Sequence, residues 1–173
     1  MSKLLERLRA CQDDRGMMAD LRCILVENKK HRAWPTLYRI YVAVDDDDSA
    51  FVAGLFATHQ EGDSTTVGNF GDTCKKIEQA RSEEQAESNN TDTARKKNLT
   101  PTERRFLHLL SANRTELNDR VKRLVLMAKT LGIPVNYEQL LPDIKYWGDG
   151  IKTKWAATFW TQASTSFKEF REE

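Results

Sequence analysis

Apolar residues recur every three or four positions along most of this chain, and no pair of segments alternates apolar and polar residues in the two-residue rhythm of paired strands. The pattern predicts an all-α fold of about seven to nine helices. A first helix is expected over about Lys3 to Cys11. Asp13 or Asp14 is placed to cap a second, which turns Met17, Met18, Leu21, Ile24 and Leu25 inward. Lys29, Lys30, His31 and Arg32 then form a basic turn. Pro35 suits the first turn of a third helix carrying Leu37, Tyr38, Ile40 and Tyr41. Asp45 to Asp48 precede an apolar run from Ser49 to His59, and acids there stabilise the positive end of a helix dipole. They are not read as a metal site, because four consecutive carboxylates cannot all turn to one ion.

The second half has sharper punctuation. Residues 61 to 69 read as a loop, and residues 71 to 82 as a short helix. Residues 83 to 98 contain no large apolar side chain, so burial cannot offset their ordering entropy. A mobile loop or a frayed helix extension is expected there. Thr100, Pro101 and Glu103 form a helix start with a capping box, followed by Phe106, Leu107, Leu109 and Leu110 facing inward. Asn113 or Thr115 opens a longer helix, with Leu117, Val121, Leu124, Val125 and Ala128 on one stripe. Gly132 ends it, and Pro134 blocks continuation. Another helix is expected over Tyr137 to Trp147, with Pro142 as a kink or break. The last, Ile151 to Phe170, carries Trp155, Phe159, Ala163, Phe167 and Phe170 at helical spacing. A length of 173 residues fits one domain, 1–173, able to bury about two-thirds of its unfolded surface.

Charge changes this picture from fold to function. The formal net charge is only +1, yet residues 101 to 131 hold seven Lys or Arg against three acids. Residues 15 to 39 hold six against two, whereas residues 40 to 63 hold six acids and no Lys or Arg. Segregated positive charge in a near-neutral chain points to a polyanionic partner. The candidates for contact with nucleic acid are Arg15, Arg22, Lys29, Lys30 and Arg32 in the first half. In the second half they are Arg104, Arg105, Arg114, Arg120, Lys122, Arg123 and Lys129. The competing reading is a solvated helix face, since Glu116 with Arg120 and Asp119 with Arg123 have the spacing of surface ion pairs.

Catalytic chemistry finds no support. Cys11, Cys23 and Cys74 form no Cys-x-x-Cys pair, and His31, His59 and His108 have no partner at catalytic spacing. No Gly-rich phosphate loop, nucleophile motif or cofactor motif occurs. The helical spacing of Trp147, Trp155 and Trp160 favours core over base stacking, and Trp34 beside Pro35 reads as packing. No signal peptide or membrane-length apolar run appears, which implies a cytoplasmic protein with reduced thiols.

The order of motifs carries a resemblance. A capped Arg104-Arg105-Phe106 helix is followed by Ser111 to Glu116, Arg120 to Val125, Tyr146-Trp147-Gly148 and Lys154 to Trp160. Arg15-Gly-x-x-Ala-Asp-Leu-Arg22 and His31-Arg-Ala-Trp-Pro-Thr-Leu-Tyr38 precede them. This order resembles the CasB-type small subunit of the type I-E CRISPR Cascade surveillance complex. The resemblance implies two packed helical sub-bundles with no catalytic activity and no cofactor; the DNA is cut by a recruited helicase-nuclease. It implies contacts with the backbone subunits that coat the crRNA, with the large subunit and with a second copy of the chain. It further implies a cationic surface that helps hold crRNA, target DNA and the displaced strand of the R-loop. A helical adaptor that touches only proteins is the alternative.

Overall fold

The computed structural model describes residues 2–60, 68–88 and 98–161, and all regular structure among them is helical. Helix α1 spans Lys3–Ala10, α2 Arg15–Arg22 and α3 Trp34–Arg39, with 3-10 turns at Cys23–Leu25 and Glu27–Ala33 between the last two. Then come α4 (Asp47–Thr58), α5 (Phe70–Ser88), α6 (Pro101–Leu110), α7 (Arg114–Thr130), α8 (Tyr137–Lys145) and α9 (Asp149–Phe159).

Local chemistry sets most boundaries. Asp14 caps α2 by accepting from the Met17 amide at 2.9 Å. Thr100 and Glu103 form a reciprocal capping box on α6, and Asn113 and Glu116 form one on α7. Helix α7 ends at Gly132, whose φ of 65° is accessible to glycine without a Cβ penalty. The Ile133 amide then donates to Ala128 at 2.8 Å and the Gly132 amide to Lys129 at 3.1 Å, the paired bonds of a Schellman end. Helix α8 runs unbroken through Pro142.

Helix α4 is the organising element. Nine successive residues, Ser49 to Ala57, are buried, so it is covered on every side. It packs on α1, α2 and the Cys23–Leu25 turn, and also on α7 and α8. One set of helices, α1 to α3, thus meets another, α5 to α9, across it, and a single apolar core runs through both. Gly54 permits the close approach, since a Cβ there would lie 3.2 Å from the Leu21 carbonyl and from Leu25. At the far end of the core, α5 and α9 touch backbone to backbone. A Cβ on Gly71 would overlap the Trp155 carbonyl group, 2.8 Å from its carbon.

Three buried polar side chains, Tyr137, His59 and Asp143, are paired. Tyr137 donates to the Leu55 and His59 carbonyls at 3.3 and 3.0 Å, and burial pushes its phenol well above the usual range. His59 Nε2 donates to the Ile133 carbonyl at 2.7 Å. Asp143 accepts from Trp155 Nε1 at 2.7 Å and from Gln139 at 2.8 Å. Unpaired, each such group would cost about 1–3 kcal/mol.

Several expectations change. The third helix ends at Arg39, before Ile40 and Tyr41; it buries Thr36 and Leu37, and Tyr38 and Tyr41 are each 80% exposed. Leu107 lies on the outer flank of α6. Residues 83–88 continue α5 as helix; residues 89–97 of the expected mobile segment lie outside the described residues, as do Ala163, Phe167 and Phe170.

Candidate nucleic-acid interface

The capping boxes at Thr100 and Asn113 place α6 and α7 as neighbours joined by a turn of three residues, Ser111 to Asn113. Both helices turn their apolar stripes inward, which leaves their cationic residues outside. Arg105 and His108 on α6 then share one shallow groove with Arg120 and Arg123 on α7, over the buried Leu124. Arg120 is fixed there. It pairs with Glu116 at 3.0 Å, donates to Ser111 Oγ at 3.1 Å and also donates to the His108 carbonyl. Arg105 and Arg123 have no hydrogen-bond or ionic partner among the described residues. Of the three guanidinium groups in the groove, only that of Arg120 is paired with a carboxylate among the described residues.

The remaining candidates divide by what they touch. Arg114 donates to the Ile144 carbonyl at 2.8 Å and pairs with Asp48, which ties the start of α7 to α8 and α4. Lys145 pairs with Asp46 at 3.2 Å across the same junction. The acidic run is thus a set of helix caps and clamps. Asp46 is partly desolvated, which would raise its pKa, but bonds from Ser49 and Lys145 outweigh this and hold its carboxyl below the usual range. Lys122 donates to the Leu25 carbonyl at 3.3 Å and pairs with Asp119 at 3.5 Å. Asp119 therefore pairs with Lys122, not with Arg123 as its spacing suggested, whereas the expected Glu116–Arg120 pair forms. Arg22 donates to the Ala57 carbonyl at 2.8 Å, near the negative end of α4. Arg104 donates to the Leu99 carbonyl at 3.3 Å, and Lys30 pairs with Glu27 at 2.8 Å. Arg15, Lys29, Arg32 and Lys129 are exposed, with no side-chain partner among the described residues. Arg15 and Arg22 border one depression beside Gln60.

Geometry alone describes a helical protein with cationic grooves; comparison with known proteins adds its kinship. The family described as CRISPR-associated protein Cse2 matches residues 7–160. The chain belongs to the Cse2 family. The resemblance to the CasB-type Cascade subunit is thereby confirmed, and solved Cse2-family structures share the fold. CasB from Thermus thermophilus superposes with a TM-score of 0.63 at 18% identity, over 90% of this chain and 94% of that one. M. ruber CasB gives a TM-score of 0.65 at 20% identity, over 92% and 93%. No curated protein sequence matches the chain.

The core expectation holds for Trp155 and Trp147 and fails for Trp160 and Trp34. Trp155 is fully buried, and Trp147 is partly buried with its Nε1 donating to the Ala112 carbonyl at 3.1 Å. Trp160 and Trp34 are 42% and 50% exposed. Arg7 is a cation that the sequence reading passed over. It donates to the Ile40 and Tyr41 carbonyls and lies 4.9 Å from the Tyr41 ring centre. No local signal couples residues so far apart in the chain. No helix among the described residues is long and apolar enough to cross a membrane.

Proposed function

We propose that this Cse2-family chain is a non-catalytic, cytoplasmic small subunit of Cascade, a CRISPR RNA-guided surveillance complex, and that its cationic surface helps hold the opened target DNA. Its partners are the crRNA and target DNA through their phosphates, the backbone and large subunits, and a second copy of itself. The observation that carries the reading is the α6–α7 groove, lined by Arg105, Arg120 and Arg123, of which only Arg120 has a carboxylate partner among the described residues. Unneutralised guanidinium groups on a rigid two-helix platform suit phosphate, which they can hold bidentately and without regard to sequence. R-loop formation exchanges one duplex for another at nearly balanced free energy, so a few backbone contacts decide its persistence. Arg22, Arg114 and Lys122 also hold helices together, and their contribution to DNA binding is correspondingly smaller.

The test is charge reversal. Cascade assembled with Arg105→Glu/Arg123→Glu should retain target DNA at least tenfold more weakly than the parent, with an unchanged melting temperature of the isolated subunit. Unchanged retention by the folded variant would favour the adaptor reading, in which the groove meets no nucleic acid.

A further inference from the structure

Helix α3 and the residue pair after it display three aromatic side chains to solvent. Trp34 is 50% exposed, and Tyr38 and Tyr41 are each 80% exposed. Trp34 and Tyr38 are four residues apart on one helix and so share a face. The Tyr41 amide donates to the Tyr38 carbonyl at 3.1 Å, which keeps the Tyr41 backbone close to the end of that helix. Tryptophan is highly buried on average and tyrosine intermediate, so three exposed rings within eight residues are unusual.

Two features show that the display is built. Tyr41 has a φ of 55°, a left-handed conformation that a bulky residue adopts only when its surroundings enforce it. Arg7 supplies the enforcement, with its guanidinium on both the Ile40 and Tyr41 carbonyls and against one face of the ring. The rest of the ring stays in water. The surroundings are also cationic. From Glu27 to Tyr41 the chain carries Lys29, Lys30, Arg32 and Arg39 against one acid, Glu27, which Lys30 already neutralises; Asp47 and Asp119 line the depression beside Trp34, and Asp119 pairs with Lys122.

We infer that Trp34, Tyr38 and Tyr41 form a stacking platform for the bases of single-stranded DNA, with Lys29, Arg32 and Arg39 beside it to meet the phosphates. Aromatic rings interleaved with cations are what sequence-tolerant binding of a single strand requires, since every base offers a π-face. A duplex hides those faces, so the platform is selective for opened DNA. The helical rise sets Trp34 and Tyr38 about 6 Å apart along the axis. That exceeds the ~3.4 Å step of a stacked strand and suits bases already drawn apart. A protein partner would also accept aromatic rings, but Lys29, Arg32 and Arg39, which have no side-chain partner among the described residues, favour phosphate. The inference rests on the nucleic-acid reading above and adds to it the contact that recognises the bases.

The test uses the full-length chain at low salt and two probes with the same sugar-phosphate backbone: a 15-nucleotide oligothymidine and a 15-unit abasic strand. The platform predicts binding of oligothymidine at least tenfold tighter than of the abasic strand. It also predicts that Tyr38→Ala/Tyr41→Gly erases the difference while keeping the residual, charge-driven affinity. Glycine at position 41 accepts the left-handed φ, so the variant should melt with the parent. Equal binding of the two probes by the parent would overturn the platform and leave the cationic reading standing; this comparison needs no variant. A preference that survives in the double variant would place base stacking elsewhere and likewise overturn it. Normal strand binding by a double variant that no longer enters the assembled complex would make the face a protein contact, again overturning it. If neither strand binds, the nucleic-acid reading itself fails.

Discussion

Arg114 and the pair Arg105 and Arg123 separate a cation that holds the fold from cations that serve a partner. All three are basic, exposed and on neighbouring helices. Arg114 alone reaches out of its helix, donating to the Ile144 carbonyl at 2.8 Å and pairing with Asp48. A charged hydrogen bond contributes roughly 1.5–3 kcal/mol when shielded. The Arg114 side chain is 47% exposed, so screening reduces the ion-pair share, but Asp48 at 18% would be left poorly solvated on its loss. Arg114→Ala should therefore destabilise by about 2 kcal/mol. In a chain of this size that lowers the melting temperature by roughly 4–8 °C. Arg105→Ala and Arg123→Ala break no contact within the described residues and should stay within ~0.5 kcal/mol of the parent. Thermal melts of the three single variants, followed by circular dichroism at neutral pH, read this directly. If Arg114→Ala melts with the parent, or if all three fall together, the division of the basic residues is wrong.

Other expectations test the frame that carries the surface. Gly71→Ala must push α5 off the Trp155 carbonyl group, and overpacking of this kind destabilises by roughly 1–3 kcal/mol; a urea midpoint equal to the parent's would contradict the backbone contact. Asp46 has a lowered pKa, so it stabilises the fold above the usual carboxylate range, and the contribution is lost as pH falls through its folded pKa. Asp46→Asn keeps an N-cap side chain but loses the pair with Lys145. The variant should be less stable than the parent at pH 7, with the gap closing below about pH 4; a gap independent of pH would show that the charge is idle.

Much of the fold was legible because it depends on local rules. The capping box at Thr100, the helix start at Asn113 or Thr115, the glycine stop at Gly132 and the stripe from Leu117 to Ala128 follow from periodicity and orphan amide groups, which any short window displays. The errors lie where a residue's fate is decided by a distant segment. Trp34 beside Pro35 reads as packing, but α3 buries only Thr36 and Leu37, so Trp34 stays half in solvent. Tyr41 is turned outward by Arg7 from another helix. Asp48 reads as dipole chemistry until Arg114, 66 residues away, is seen against it. The basic patches were visible as counts, but which cations are anchored and which are unpaired depends on carbonyls such as Ala57, Ile144 and Leu25, whose positions no sequence pattern records.

The central claim is that the unpaired cations of the α6–α7 groove neutralise DNA phosphates. The slope of log affinity against log salt concentration, measured for assembled Cascade on its target, tests it most directly. Each phosphate contact removed should flatten the slope by roughly 0.7–0.9. Arg105→Ala/Arg123→Ala is thus predicted to reduce its magnitude by about 1.5 relative to the parent complex. Two parallel lines of equal affinity would contradict the account.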